Sequence, residues 1–66
     1  MRQYEIAIRI AQVHHLAEER KYKKALTVIQ TLDMRQVRNI SDLKVFAEVY
    51  TRTEQFEAAK ATYLRI

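Results

Sequence analysis

Apolar residues return at helical spacing in four stretches, and polar runs separate them. In the first stretch Ile6, Ile10, Val13 and Ala17 step by four, three and four positions, with Ala7, Ala11 and His14 beside them. The second carries Tyr22, Ala25, Leu26, Ile29 and Leu32, and the third follows Ser41 with Leu43, Phe46, Ala47, Val49 and Tyr50. The fourth holds Phe56, Ala59, Tyr63 and Ile66. A period of 3.6 residues gathers each set onto one helix face. The two-residue alternation of a half-buried strand appears over no useful length. The pattern predicts four helices and an all-α fold.

The polar runs Glu18-Glu19-Arg20-Lys21 and Thr51-Arg52-Thr53-Glu54-Gln55 mark two of the turns, and Asp33 to Ile40 is the longest connection. Ser41 is expected to cap the third helix, because its hydroxyl can accept from a free first-turn N–H, with Asp42 next to it at the positive end of the dipole. Asn39 is expected to terminate what precedes it. Glu5 with Arg9, and Glu48 with Arg52, are spaced for i to i+4 ion pairs that support a helix by about 0.2–0.5 kcal/mol each.

Sliding the chain along itself exposes an internal repeat. At an offset of 34, Tyr22 falls on Phe56, Ala25 on Ala59, Ile29 on Tyr63 and Leu32 on Ile66. The earlier helices match at 36 instead, Ala7 on Leu43, Ile10 on Phe46, Ala11 on Ala47 and His14 on Tyr50. That difference predicts a first interhelical turn about two residues longer than the second. The small residues Ala11, Ala25, Ala47 and Ala59 are expected where paired helices approach closely, and the aromatics where gaps between layers must be filled.

A two-helix unit recurring near that offset, with Leu43-x-x-Phe46-Ala47-x-x-Tyr50 and then Phe56-x-x-Ala59-x-x-x-Tyr63, resembles the tetratricopeptide repeat. The first unit departs more from that pattern: Ala7 stands at a large position, His14 at the tyrosine position and Val37 where a proline is usual. The resemblance implies two stacked antiparallel helical hairpins, a fragment of an α-solenoid, with repeat one at about 3–38 and repeat two at about 39–66. An ordinary four-helix bundle with incidental periodicity is the competing architecture.

Repeats of this family serve as interaction modules, so the resemblance implies a scaffold or adaptor that binds a protein or peptide and performs no catalysis. The groove-facing residues it implies are Arg9, Gln12, His15, Lys44, Glu48 and Arg52, whose mixed charge suits a polar peptide. The Lys and Asn pair with which some members clamp a terminal carboxylate is replaced here by Ile8 and Gln12, so that activity is not expected. Stacked hairpins bury their apolar faces against neighbours, and about three units plus a cap are usual. With two units and no cap, Tyr63, Leu64 and Ile66 are expected to lie bare. Burying such side chains is worth about 1.5–3 kcal/mol each. The chain is therefore expected either to be part of a longer repeat protein or to form a homo-oligomer through this end.

Composition narrows the chemistry. The 66 residues include no Gly, Pro, Cys or Trp. Glycine-dependent phosphate loops and nucleotide fingerprints are thereby excluded, as are thiol nucleophiles and thiolate metal sites. A chain this short buries only about 60% of its unfolded surface, and no disulfide can supplement its core. His14 and His15 are adjacent and point about 100° apart on a helix, so they cannot share a metal; each could pair only with Glu18 or Glu19. No cofactor or metal is expected. No apolar run approaches the roughly 20 residues of a membrane span, and a cytoplasmic location is expected.

The net charge of +4 makes nucleic acid the alternative partner, with Arg20, Lys21, Lys23 and Lys24 around Tyr22, and Arg35 and Arg38 beyond. Against it, Glu18 and Glu19 adjoin the cluster, and each half of the chain carries only +2, from six basic and four acidic residues. A membrane-surface role is not expected either, since the basic residues do not gather on one face of an apolar helix.

Overall fold

With no glycine or proline to interrupt them, the helix-favouring stretches run to the polar turns and stop there. The computed structural model describes residues 2–66. It contains helices α1 (Gln3–Glu18), α2 (Tyr22–Ile29), α3 (Ile40–Arg52) and α4 (Phe56–Tyr63), a short 3-10 turn at Met34–Gln36, and no strand among the described residues.

The two interhelical turns are the same structure, one repeat apart. Each spans three residues, 19–21 and 53–55. Arg20 and Glu54 both adopt the left-handed conformation at φ 61°. The Lys21 N–H donates to the Leu16 carbonyl at 2.8 Å and the Arg20 N–H to Ala17 at 3.0 Å; Gln55 donates to Tyr50 at 2.7 Å and Glu54 to Thr51 at 3.1 Å. This is the paired 6→1 and 5→2 bonding of a Schellman motif, which satisfies the last carbonyls of a helix and normally recruits glycine for the left-handed residue. Here Arg and Glu accept that conformation.

The expected longer first turn is therefore absent, and the offset of 34 holds through both helices of each unit. Val13, not Ala11, stands where Ala47 stands, and both are fully buried while Ala11 is exposed. The match at 36 has a physical origin. The apolar stripe of α1 faces α3, while that of α3 faces back toward the first hairpin, so the stripes lie on opposite sides of equivalent helices. Two residues of shift rotate a helix by about 200°, which superimposes those stripes while misaligning the backbone.

Asn39, not Ser41, caps α3: its side-chain oxygen accepts from the Asp42 N–H at 3.3 Å. The connection before it is anchored at three points. Asp33 caps the 3-10 turn by accepting from the Arg35 N–H at 3.0 Å. Val37 is buried in the core. Arg65, beyond α4, donates to the carbonyls of Met34 at 2.8 Å and Val37 at 2.6 Å.

The centre of the molecule is α3. It packs on α1, α2 and α4, whereas α4 packs on α3 alone among the helices. A closed bundle would bring the fourth helix back against the first, and this fold does not. Leu43, Phe46, Val49 and Tyr50 of α3 join Val13, Ala25, Ile29, Val37 and Ala59 in one buried cluster.

Candidate functional site

The face that α1 and α3 present together is concave. Between them lies an open depression of about 550 Å³ lined by Ala7, Ile10, Ala11, His14, His15, Glu18 and Asp42. Its floor is low because alanines occupy two successive turns of α1. Its wall is polar. His14 Nε2 lies 2.7 Å from Asp42 Oδ1, a half-buried pair that ties α1 to the first turn of α3.

The structure does not gather the six expected groove residues on this face. His15 lines the depression. Arg9 turns away and donates to the Thr31 hydroxyl at 2.7 Å, so it forms no pair with Glu5. Gln12 lines a second, more apolar depression of about 570 Å³ with Ile8, Ala11, His15, Leu16 and Val28, on the outer edge of the first hairpin. Ile8 belongs to that edge as well. Lys44, Glu48 and Arg52 lie on α3 and are exposed. Their repeat equivalents on α1 are Ile10, His14 and Glu18, all of which line the concave depression. The misregister of two positions selects Arg9, Gln12 and His15 on α1, of which only His15 lines the concave depression; counting back from the matching turns at Arg20 and Glu54 gives Ile10, His14 and Glu18 instead.

Arg52 pairs with no carboxylate among the described residues; its guanidinium stands 5.6 Å above the Tyr22 ring, joining the end of α3 to the start of α2. His15 Nε2 is 3.5 Å from Glu19, one turn along the helix, as expected, but the partner of His14 is Asp42 rather than Glu18. Nothing in the local sequence points to that cross-helix pair, since 28 residues separate its members. No three metal-ligating side chains converge among the described residues.

Asp33, Arg35 and Tyr50 depart from their ordinary titration ranges. The Arg35 guanidinium and backbone N–H hold the Asp33 carboxyl below the ordinary aspartate range, and Asp33 raises Arg35 in return. Burial pushes the Tyr50 hydroxyl up. None of these three groups lines the concave depression. Arg20, Lys21, Lys23 and Lys24 are all exposed, and Lys21 lies 3.5 Å from Glu19.

Tyr63, Leu64 and Ile66 are exposed, as are Ile40 and Phe56. No described helix is long and apolar enough to cross a membrane. No family model, curated protein or solved structure matches this chain.

Proposed function

We propose that the chain is a protein–protein interaction module of two tetratricopeptide-like hairpins, docking a segment of another polypeptide along the face shared by α1 and α3. The observation that carries this reading is the low apolar floor of Ala7, Ile10 and Ala11 beside a polar wall of His14, Glu18 and Asp42. Such a surface seats one apolar side chain and orients the flanking backbone and charges. Glu18 offers an exposed carboxylate at one end, and Lys44, Glu48 and Arg52 are exposed on α3 at the repeat equivalents of Ile10, His14 and Glu18, so the segment that fits carries charges of both signs around an apolar anchor. The His14–Asp42 pair holds the two helices at fixed spacing and lets the surface form before the ligand arrives.

Selection from a displayed peptide library, followed by fluorescence anisotropy, tests this. Ala7→Glu fills the floor at an exposed position and should weaken the selected peptides by roughly tenfold or more, leaving the helical circular dichroism intact. Binders indifferent to that substitution would place docking elsewhere. Affinity should change little between roughly 50 and 200 mM salt, whereas a nucleic-acid ligand on the basic turn would be lost steeply over that range.

A further inference from the structure

We propose that the chain associates head to tail with a second copy of itself, the outer face of the α3–α4 hairpin in one copy seating on the outer face of the α1–α2 hairpin in the next. These are the far edges of the two units, so the inference does not rest on peptide docking at the concave surface.

The internal contact supplies the template. To the core cluster it shares with the second, the first hairpin contributes Ile29, with Tyr22 and Leu32 packed against it, and Ile6 is buried as well. One repeat later these become Ile40, Phe56, Tyr63 and Ile66, and every one of the four is exposed. Tyr63 is 54% exposed where Ile29 is 1% exposed. The second hairpin thus repeats the same apolar surface with nothing upon it among the described residues. Leu64 is exposed too, but its equivalent is the exposed Gln30, so it stands outside this face.

The receiving surface is repeated as well. On the second hairpin Phe46, Val49 and Tyr50 of α3 belong to the core cluster shared with the first, Val45 packs against it, and Thr62 of α4 is buried. Their equivalents Ala11, Gln12, His15, Leu16 and Val28, with Ile8, line the outer apolar depression of about 570 Å³. One chain therefore carries both halves of a single contact, at opposite ends.

The side chains of the two halves are complementary in size. Inside the molecule, a small Ile29 shares the core with a large Phe46 and Tyr50. At the outer ends the large residue has changed sides: Tyr63 replaces Ile29, while Gln12 and Leu16 replace Phe46 and Tyr50. The open depression is the space vacated by those two rings, and Phe56 and Tyr63 are rings of the size to fill it. Gln12 and His15 supply polar atoms for the Tyr63 hydroxyl, which would otherwise be buried without a partner. A contact between different faces cannot close on itself as a two-fold dimer does, so it extends into an open stack unless its rotation closes a ring.

Sedimentation velocity on the whole chain between roughly 10 µM and 1 mM tests this, a range that brackets weak protein contacts. The weight-average mass should climb past the dimer. Ile8→Glu blocks the receiving face and Tyr63→Glu the inserting face, both at exposed positions where helical circular dichroism verifies the fold. Each variant alone should stay monomeric. Mixed in equal amounts, they should form a one-to-one dimer and nothing larger, because one intact face of each kind remains. If Ile8→Glu still dimerises alone while Tyr63→Glu does not, the contact is a symmetric one through α4 and the proposal is wrong. It is equally wrong if the unaltered chain remains monomeric at the highest concentration, which would assign both faces to a different polypeptide.

Discussion

Gln12 and Phe46 stand at the same point of equivalent helices, yet Gln12 is exposed to solvent and Phe46 has no exposed surface. The backbones around them do not differ: both helices end in the same Schellman turn, and α2 and α4 have coincident bounds when shifted by one repeat. What differs is cover. The α3 helix has a hairpin on one side and α4 on the other, whereas among the described residues no helix besides α2 and α3 packs on α1. Position in the array, rather than local helix geometry, thus decides which residues carry stability.

The largest effect expected from this comparison is a pair of substitutions at one repeat position. Phe46→Ala removes a ring from the centre of the core and should cost about 3–5 kcal/mol. A domain of this length holds roughly 3–10 kcal/mol in total, so the variant should be largely unfolded at room temperature. Gln12→Ala, at the equivalent point, should shift stability by no more than about 0.5 kcal/mol. Urea titration followed by circular dichroism measures both; similar midpoints for the two variants would mean that the hairpins do not pack in this way.

A smaller effect concerns the one side-chain pair that joins the concave wall across the two units. His14 and Asp42 have no repeated counterpart, because their equivalents are Glu48 and Ile8. Replacing either by alanine should cost about 0.5–1.5 kcal/mol, the ordinary worth of a hydrogen bond that is not fully buried. A double-mutant cycle should return most of that cost as coupling. Purely additive single costs would show that the 2.7 Å contact contributes nothing.

The contrast between shared backbone and unshared cover also explains what the sequence could reveal. Helix type is legible because it depends on each segment's own periodicity, and the exposure of Tyr63, Leu64 and Ile66 is legible because the two repeats within these 66 residues supply no helix to pack on the far side of α4. The register of α1 is not. Its buried stripe, Ile6, Ile10, Val13 and Ala17, and that of α3 face one another, and matching buried stripe to buried stripe misplaces one helix by half a turn. The concave site suffers directly: the pattern puts Lys44, Glu48 and Arg52 on a common face, but on α1 it selects Arg9 and Gln12 in place of Ile10, His14 and Glu18. The His14–Asp42 pair is illegible for a different reason, since it depends on the spacing of two helices that neither segment encodes alone. Asn39 displaces Ser41 as the cap because α3 starts one residue after it, and only the side chain at that boundary reaches the free N–H of Asp42.

The smallest expected effect tests the sameness of the hairpins rather than their difference. Arg20 and Glu54 both hold φ at 61°, a conformation that crowds the Cβ of any residue but glycine and costs about 1–2 kcal/mol. Glycine removes that cost, and gives back about 0.4–1 kcal/mol through the greater freedom it confers on the unfolded chain. Arg20→Gly and Glu54→Gly should therefore each stabilise the fold by roughly 0.5–1 kcal/mol, which in a domain this small is a rise of a few degrees in Tm. Because the two turns make the same backbone bonds at nearly the same lengths, the gains should be equal within about 0.3 kcal/mol and should add in the double variant. Thermal unfolding of the three variants measures this. A gain at one turn and a loss at the other would mean that one of these residues is held in place by something besides its turn, and the equivalence of the two units would then end at their helices.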